Sequence, residues 1–355
     1  TKLSAFQAGA TRAILPCLLA SALLLGKGAA RFGAAVSVLL VGATFIASGG
    51  QVLHQSRTFF GVHRVVEDSE GRWTMLYHGT TLHGLQIRSE KLPPPPEGLP
   101  PPNAETRNTL FYGDRNAFTR IQRIAMTHLL PSTYYHPTGP IGDVMKQLTL
   151  DGRLRRAGLI GMGAGSLAAY GRPGMKFDFF EIDPAVVSIA LTPEYFSYIH
   201  ESLADQGELK LGDGRVNLTK EPDGAYDLLV VDAFSSDAIP VHLITREALQ
   251  LYLKKVSDHG IVAFHVSNRY FDLRPVLARL AATESVVATA RNDFKISPAD
   301  RMEAKRDSIW VVVAKSPADL GALATSTEWT PLTDRPEYPT WTDDYSNIMS
   351  VFVGW

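Results

Sequence analysis

The segment AGLIGMGAGS, residues 157–166, gives the strongest indication of the fold of this chain. Its first four residues have the apolar character of a short buried strand, and glycines follow at every second position, Gly161, Gly163 and Gly165. Glycines directly after a strand allow a tight turn and let the backbone at a helix N-terminus approach a ligand closely. Plain structural turns carry the same spacing, so the interpretation depends on the sequence that follows.

The next apolar strand, Phe177–Ile182, ends in acidic residues. Glu181 lies 20 residues after Gly161, where a carboxylate can accept hydrogen bonds from both ribose hydroxyls. Asp183 precedes Pro184, which is typical of a helix N-cap. We therefore assign the ribose to Glu181 and place the Asp183 cap at the edge of the same cofactor site. The two motifs together predict a nucleoside-binding site.

Two further strands end in acidic residues. Asp213 and Gly214 follow the strand Leu209–Leu211, and a carboxylate there can accept from the exocyclic amine of adenine. Asp232 ends a buried apolar strand, at the edge where open α/β sheets bind ligands, and Asp237 follows in the same loop. These two carboxylates could bind an amine and take its proton, although Asp237 could equally cap the loop.

Strands and helices alternate from about residue 139 to the end of the chain, which predicts a parallel, doubly wound, Rossmann-like α/β sheet of the class I methyltransferase type over 138–355. Short runs rich in aromatic and β-branched residues predict a small antiparallel β meander over 55–91. A proline-rich stretch and a connecting segment fill 92–137.

Two uncharged apolar runs, Ala13–Leu25 and Phe32–Ala47, lie within residues 1–54. We expect a transmembrane helical hairpin, part of a larger membrane domain, because the rest of the chain already accounts for a complete soluble fold. The alternative is a buried hairpin of a soluble domain. Because cofactor supply is cytoplasmic, we expect the inner membrane of a bacterium, with the soluble part facing the cytoplasm.

Composition excludes several classes of function. The net charge of -1 is too low for non-specific binding of nucleic acid. The single cysteine permits neither an internal disulfide nor a cysteine-based zinc site. The histidines lack neighbours at ligand spacing, so no metal site is predicted.

These motifs, in this order, resemble the spermidine synthase family of aminopropyltransferases over roughly residues 59–285, and above all its bacterial subgroup fused to a membrane domain. The segments Arg57–Val62, Tyr134–Pro140 and Trp341–Asn347 look like parts of that subgroup. The resemblance implies a small-molecule donor, decarboxylated S-adenosylmethionine or S-adenosylmethionine itself, and an acceptor such as the diamine putrescine. It also implies an aminopropyl transfer that releases methylthioadenosine, and often a homodimer.

The resemblance makes Glu181 the ribose ligand, Asp213 the adenine ligand and Asp232 the base that deprotonates the attacking amine. Further candidates for the substrate pocket are Gln86, Tyr134, Tyr135 and Asp143. The acceptor half departs from the family pattern. Ala164 stands where the family's glycine loop carries an aspartate. Asp232 and Asp237 are five positions apart, because Ala233 and Phe234 precede the two serines between them.

Three functions follow from this pattern of matches and departures. The first is an aminopropyltransferase-like enzyme. The second keeps the ligand without a polyamine, either as a lyase or cyclising cleavage of S-adenosylmethionine to methylthioadenosine, or as a methyltransferase. The third is a non-catalytic sensor of an adenosyl ligand on a membrane protein.

Overall fold

The protein was analysed as a computed structural model, which describes residues 28, 33, 50–79, 81–93, 103–114, 117–233 and 240–354. Both runs of the predicted N-terminal hairpin lie outside these residues, apart from Gly33. In the described ranges no helix has the length and apolar content needed to cross a bilayer. The membrane hairpin therefore stays a prediction.

The chain begins its described fold with a four-stranded antiparallel sheet, which we call the meander, in the order β1-β2-β3-β4. Its strands are β1 (Gly50–Thr58), β2 (Gly61–Asp68), β3 (Trp73–His78) and β4 (Thr81–Ile87). The sequence predicted this meander over 55–91, from three runs, Phe59–Val66, Trp73–Tyr77 and Leu82–Arg88. Residues 50–54, which were assigned to the hairpin, belong to β1, because Gly50–Thr58 pairs along the length of β2.

The meander is fixed to the rest of the molecule by an apolar contact. Val65 and Leu76 are buried on one of its faces and pack with Ala164, Ile189 and Phe196 of the following domain. Since burial of apolar surface contributes about 25 cal/mol per Å², this contact holds the meander against the glycine loop, which contains Ala164.

A connecting segment carries two short helices, α1 (Ala104–Tyr112) and α2 (Arg120–Ala125), capped by Asn103 and Thr119. The side chain of Arg107 is buried and donates to the carbonyl oxygens of Ala169 and Glu201. These hydrogen bonds attach α1 to the α/β domain that contains the glycine loop.

The core is one eight-stranded sheet in the order β12-β10-β11-β9-β8-β5-β6-β7. Its strands are β5 (Arg156–Ile160), β6 (Lys176–Glu181), β7 (Leu209–Leu211), β8 (Tyr226–Val231), β9 (Val256–His265), β10 (Val287–Asp293), β11 (Ser308–Ala314) and β12 (Thr330–Pro331).

The prediction of a parallel sheet is wrong for strands β10, β11 and β12, which pair antiparallel. Strands β7, β6, β5, β8 and β9 are parallel, but β11 pairs antiparallel with β9 and β10 pairs antiparallel with β11. A fully buried strand such as SIWVVVA has the same apolar run in either direction, so the sequence does not reveal its orientation. The sheet is mixed, on a Rossmann-like plan.

Helices cover both faces of this sheet, and separate apolar clusters fill the two layers. The helices are α3 (Pro140–Leu150), α4 (Pro184–Ala190), α5 (Gly214–Thr219), α6 (Arg246–Lys255), α7 (Arg274–Thr283), α8 (Pro298–Met302) and α9 (Pro317–Leu320). The predicted helix start after the glycine loop is a 3-10 helix, Ser166–Tyr170. Parallel strands bring their carboxyl ends to one edge of the sheet, where ligands bind in open α/β folds.

Candidate functional site

A cleft of about 1030 Å³ opens at the carboxyl edge of the parallel strands, with the meander as its opposite wall. The described residues that line it are Phe60, His63, Leu76, His78, His83, Tyr134, Tyr135, Ile160, Gly161, Met162, Gly163, Phe180, Glu181, Ile182, Asp183, Val186, Asp213, Gly214, Asp232, Ala233, Pro240, His242 and Leu243.

The glycine loop is confined between the sheet and the meander. Gly161 has a φ of +98°, and a Cβ atom there would lie 2.2 Å from the carbonyl oxygen of Asp232. Gly163 has a φ of +53°, and its Cβ would lie 2.7 Å from the carbonyl oxygen of His83. Both positions therefore require glycine, which adopts positive φ without steric cost and leaves room for the neighbouring backbones.

Glu181, at the end of β6, accepts a hydrogen bond from the backbone of the glycine loop. Its Oε2 accepts from the backbone N–H of Met162 at 2.9 Å, and its Oε1 accepts from the N–H of Asp183 at 2.9 Å. Burial raises the pKa of Glu181, and the backbone donors of Asp183 and Met162 offset part of that effect. A carboxylate has about four lone-pair positions, so Glu181 can accept further hydrogen bonds from a ligand in the cleft.

Asp183 forms the predicted N-cap of α4, where Oδ1 accepts from the N–H of Ala185. Its Oδ2 accepts from the hydroxyl of Thr58 at 2.6 Å and lies 2.7 Å from Nε2 of His63. Although burial opposes the change, these hydrogen bonds lower the pKa of Asp183. Asp183 therefore connects the meander to the start of α4, and it also lines the cleft.

Asp213 lies at the other end of the cleft, as the N-cap of α5. Oδ1 accepts from the N–H of Val216, and Oδ2 lies 3.0 Å from Nε2 of His242. Gly214 is needed beside it because a Cβ there would lie 2.6 Å from the side chain of Ile160. His242, which the sequence did not single out, therefore borders the predicted adenine position.

Asp232 is buried at the end of β8, and both of its carboxylate oxygens have partners. The hydroxyl of Tyr135 donates to Oδ2, and Nδ1 of His265 lies 2.8 Å from Oδ1. Because an ionised carboxylate only accepts hydrogen bonds, His265 carries its proton on Nδ1. The two donors fix the direction of the carboxylate while it faces the cleft.

Aromatic rings hold this arrangement in place. The ring of His265 stacks on Tyr134 at 4.1 Å and on Trp310 at 4.9 Å between centroids. Its Nε2 lies 2.7 Å from the hydroxyl of Ser267, which in turn accepts from the N–H of Ile309. Burial and the charge of Asp232 raise the pKa of Tyr135 well above its ordinary value, so its hydroxyl stays a donor.

Three histidines of the meander form one wall of the cleft, and we call His63, His78 and His83 the histidine wall. Adjacent ring centroids are 4.7 Å and 5.4 Å apart. His78 lies 2.8 Å from the carbonyl oxygen of Phe60 through Nε2. Burial, followed by the neighbouring His78, lowers the pKa of His83 to about 4. His83 is therefore uncharged at neutral pH.

The low pKa of His83 predicts a loss of stability in acid. In the unfolded chain this histidine binds a proton near pH 6.5, whereas the folded protein binds it only near pH 4. The free energy of unfolding should therefore fall as the pH decreases from 6.5 to 4, by up to about 3 kcal/mol through this group. Urea denaturation at several pH values in this range measures the free energy of unfolding, which should depend less steeply on pH in His83→Leu than in wild type. Between pH 7 and 9 the free energy of unfolding should depend on pH in the same way in both proteins. An equal dependence on pH below pH 6.5 would contradict the prediction.

Other predicted site residues have structural partners away from the cleft. Gln86 donates to the carbonyl oxygen of His128 and to the hydroxyl of Ser197, and its Oε1 accepts from the N–H of Ser197. Asp143 accepts from Arg291 and from the indole N–H of Trp329. Neither residue is among the described residues that line the cleft. Asp237 lies outside the residues that the structure describes.

Ala164 is fully buried against the meander. A Cβ atom placed on Gly84 would lie 2.3 Å from the Cβ of Ala164, so strand β4 and the glycine loop are in direct contact. The side chain that departs from the family pattern therefore packs into an apolar contact and does not line the cleft.

The charge of the cleft is one-sided. Four carboxylates, Glu181, Asp183, Asp213 and Asp232, border it, and among the described residues neither lysine nor arginine does. Carboxylates in a partly buried site without a lysine or arginine beside them attract cations. The cleft therefore suits a positively charged ligand.

Among the residues that the structure describes, one group outside the cleft has the composition of a metal site. His136, Asp300 and Glu303 place one ligand atom each within 4.8 Å of one another. Nε2 of His136 lies 3.1 Å from Glu303, and the ammonium group of Lys305 lies 4.0 Å from Asp300. The lysine already supplies positive charge to this cluster, so these contacts form an ion-pair network.

No family model matches this chain, but individual proteins are similar to it. A polyamine aminopropyltransferase of Vibrio vulnificus (strain CMCP6) is 34% identical over 107 residues, which cover 29% of this chain and 35% of that protein. The structure of a probable spermidine synthase from Corynebacterium glutamicum ATCC 13032 aligns with a TM-score of 0.50 and 12% identity, over 84% of this chain and 98% of that one.

The fold is spermidine synthase-like. The spermidine synthase of Thermotoga maritima aligns less closely, with a TM-score of 0.43 and 12% identity over 75% of this chain and 73% of its own. The sequence match spans about a third of the curated relative's length, so the spermidine synthase-like fold is shown here, and the reaction is argued below from the site.

Proposed function

We propose that this protein is an aminopropyltransferase-type enzyme that uses an adenosyl sulfonium donor. The observation that carries the proposal is the buried Asp232 at the end of β8, whose carboxylate is oriented by Tyr135 and His265 and faces the same cleft as the glycine loop. The partial similarity to a polyamine aminopropyltransferase and the spermidine synthase-like fold support it.

The adenosine half of the donor fits one side of the cleft. Glu181 offers lone pairs to the ribose hydroxyls, and Asp213 offers an acceptor to the adenine amine. The backbone of Met162 and Gly163 borders the same space, so the glycine loop lies beside the ribose and the sulfonium.

The charge of the cleft favours the decarboxylated donor. Decarboxylated S-adenosylmethionine carries a sulfonium and an ammonium, whereas S-adenosylmethionine adds a carboxylate. That carboxylate would face four others without a lysine or arginine among the described lining residues, and an unpaired buried charge is unfavourable. We therefore propose decarboxylated S-adenosylmethionine as the donor.

The reaction is a single displacement. The lone pair of an uncharged acceptor amine attacks the propyl carbon bonded to the sulfonium, the C–S bond breaks, and methylthioadenosine leaves with the electron pair on sulfur. The new C–N bond leaves a proton on nitrogen, which Asp232 takes as general base. Orientation of donor and acceptor within the cleft supplies most of the rate.

One product assay tests the proposal against its alternatives. The purified chain is incubated with decarboxylated S-adenosylmethionine or with S-adenosylmethionine, each with and without putrescine, and the nucleoside and amine products are identified. Methylthioadenosine together with an aminopropylated amine is expected only when both substrates are present. Methylthioadenosine without acceptor would indicate lyase or cyclising cleavage, S-adenosylhomocysteine would indicate methyl transfer, and binding without product would indicate a sensor.

Replacing Glu181 with glutamine should weaken the binding of methylthioadenosine about 10- to 100-fold, because a hydrogen bond to a charged group contributes about 1.5–3 kcal/mol. The amide would also direct N–H hydrogens toward the backbone donors of Met162 or Asp183. Calorimetric titration measures the Kd. Glu208→Gln is the matched control, because Glu208 is paired with Lys210 away from the cleft. An unchanged Kd in E181Q would remove Glu181 from the nucleoside site.

Attachment to a bacterial inner membrane through residues 1–54, with the catalytic part in the cytoplasm, stays a proposal of the sequence. It can be tested by the distribution of the full chain between membrane and soluble fractions of expressing cells, with a chain that begins at Gly50 for comparison. Recovery of both chains in the soluble fraction would contradict it.

A further inference from the structure

Among the described residues, the histidine wall contains one imidazole, that of His83, with a buried ring nitrogen that has no hydrogen-bond partner. Nε2 of His63 lies 2.7 Å from Asp183, and Nε2 of His78 lies 2.8 Å from the carbonyl oxygen of Phe60. Nε2 of His83 is buried and has no hydrogen-bond partner among the described residues. A buried polar atom without a partner is unfavourable in a folded protein, so this nitrogen is a candidate for contact with a ligand.

The position of His83 restricts which part of a ligand it can reach. His83 lines the cleft, and its carbonyl oxygen would lie 2.7 Å from a Cβ atom placed on Gly163. His83 therefore borders the cleft on the meander side of the glycine loop, across from the sheet. Glu181 ends β6 and Asp213 follows β7, whereas Asp232, whose charge acts on His83, follows β8.

The groups around His83 indicate the charge of a ligand group that could bind beside it. Asp232 is close enough to His83 to act on its titration, and the imidazole is uncharged at neutral pH because burial and His78 lower its pKa to about 4. An uncharged imidazole nitrogen can accept a hydrogen bond. The glycine loop GMGAGS itself offers no carboxylate side chain to this part of the cleft.

We propose that His83 is a substrate-binding residue, whose imidazole accepts a hydrogen bond from the primary ammonium group at the aminopropyl end of the bound donor. The proposal rests on the function proposed above, since it requires an adenosyl sulfonium ligand in the cleft. It assigns the recognition of that ammonium to an uncharged side chain of the meander, with the carboxylate of Asp232 nearby.

A pair of ligands separates this role from the shape of the pocket. Decarboxylated S-adenosylmethionine has the aminopropyl ammonium, and methylthioadenosine has the same nucleoside and sulfur without it. Calorimetric titrations of the full chain with each ligand are compared for wild type, His83→Leu and His83→Gln. His200→Leu is the control, because Nε2 of His200 bonds to the carbonyl oxygen of Leu191 and His200 does not line the cleft.

His83→Leu should weaken the binding of decarboxylated S-adenosylmethionine about 10-fold or more, the effect of one hydrogen bond to a charged group. Its affinity for methylthioadenosine should match that of wild type. His83→Gln, which keeps an acceptor, should recover part of the loss, and His200→Leu should bind both ligands as wild type does.

Two other results would overturn the assignment. If His83→Leu loses affinity for both ligands equally, or for neither, His83 does not recognise the ammonium group. If wild type binds neither ligand, the adenosyl function is wrong and this inference is wrong with it. The first pattern leaves the proposed function intact, so the two failures are distinguishable.

Discussion

Replacing Asp232 with asparagine is expected to lower the rate of methylthioadenosine release by a factor of about 10²–10⁴, the usual contribution of a positioned general base. The amide has nearly the shape of the carboxylate but cannot take a proton from the attacking amine. Its NH₂ group would also meet either the hydroxyl of Tyr135 or Nδ1–H of His265, both of which donate to the carboxylate. The rate is measured by chromatography of methylthioadenosine with decarboxylated S-adenosylmethionine and putrescine at saturation.

The matched measurement for D232N is the affinity for methylthioadenosine, which should remain within a few-fold of wild type because the product lacks the amine. Asp227→Asn offers a second comparison, since Asp227 begins the same strand and its carboxylate accepts from the N–H groups of Arg155 and Arg156 at the opposite end. Wild-type turnover in D232N would show that the base is a different residue. Normal binding in a wild-type protein without turnover would favour the sensor.

Replacing Gly161 with alanine is expected to lower the free energy of unfolding by about 2–5 kcal/mol. A left-handed backbone conformation costs an L-residue about 1–2 kcal/mol, and insertion of a methyl group into a packed site costs about 1–3 kcal/mol. Both terms apply, because Gly161 has a φ of +98° and its Cβ would lie 2.2 Å from the carbonyl oxygen of Asp232. Urea denaturation followed by far-UV circular dichroism measures the change.

Gly174→Ala separates the two terms. Gly174 has a φ of +83°, but a Cβ atom there would meet nothing within 4 Å. It should therefore cost only the conformational part, about 1–2 kcal/mol. If the two alanine variants lose the same stability, the close approach of the glycine loop to the end of β8 contributes nothing.

The parts of the fold that were predictable from sequence are those with a local signal. Glycines after the strand at Ile160 and acids at the ends of β6 and β8 mark strand ends, and parallel pairing then brings them to one edge. Strand β1 was missed because its sequence, GQVLHQSRT, mixes polar residues with few apolar ones. The reversal of β11 was missed because strand direction depends on the chain connections and leaves no trace in an apolar run.

The position of a candidate residue was predictable where it depends on one strand end, and less so where it depends on contacts between distant parts of the chain. Asp232 could be placed from its strand end, but its partner His265 ends the neighbouring strand β9, and only the register Val231–Phe264 shows that the two meet. Two polar candidates, Gln86 and Asp143, are satisfied by residues more than a hundred positions away. Such partners are set by tertiary packing, which one sequence does not display.

The contact between Gly84 and Ala164 limits how this protein can be changed toward its relatives. Introducing an aspartate at position 164, as the family pattern suggests, would push a charged group into the space now shared by the methyl group of Ala164 and the backbone of β4. Gly84 already has no side chain, so a larger residue at position 164 requires strand β4 itself to move away from the glycine loop. A redesign of the glycine loop would therefore have to begin in the meander, before any residue of the loop itself is altered.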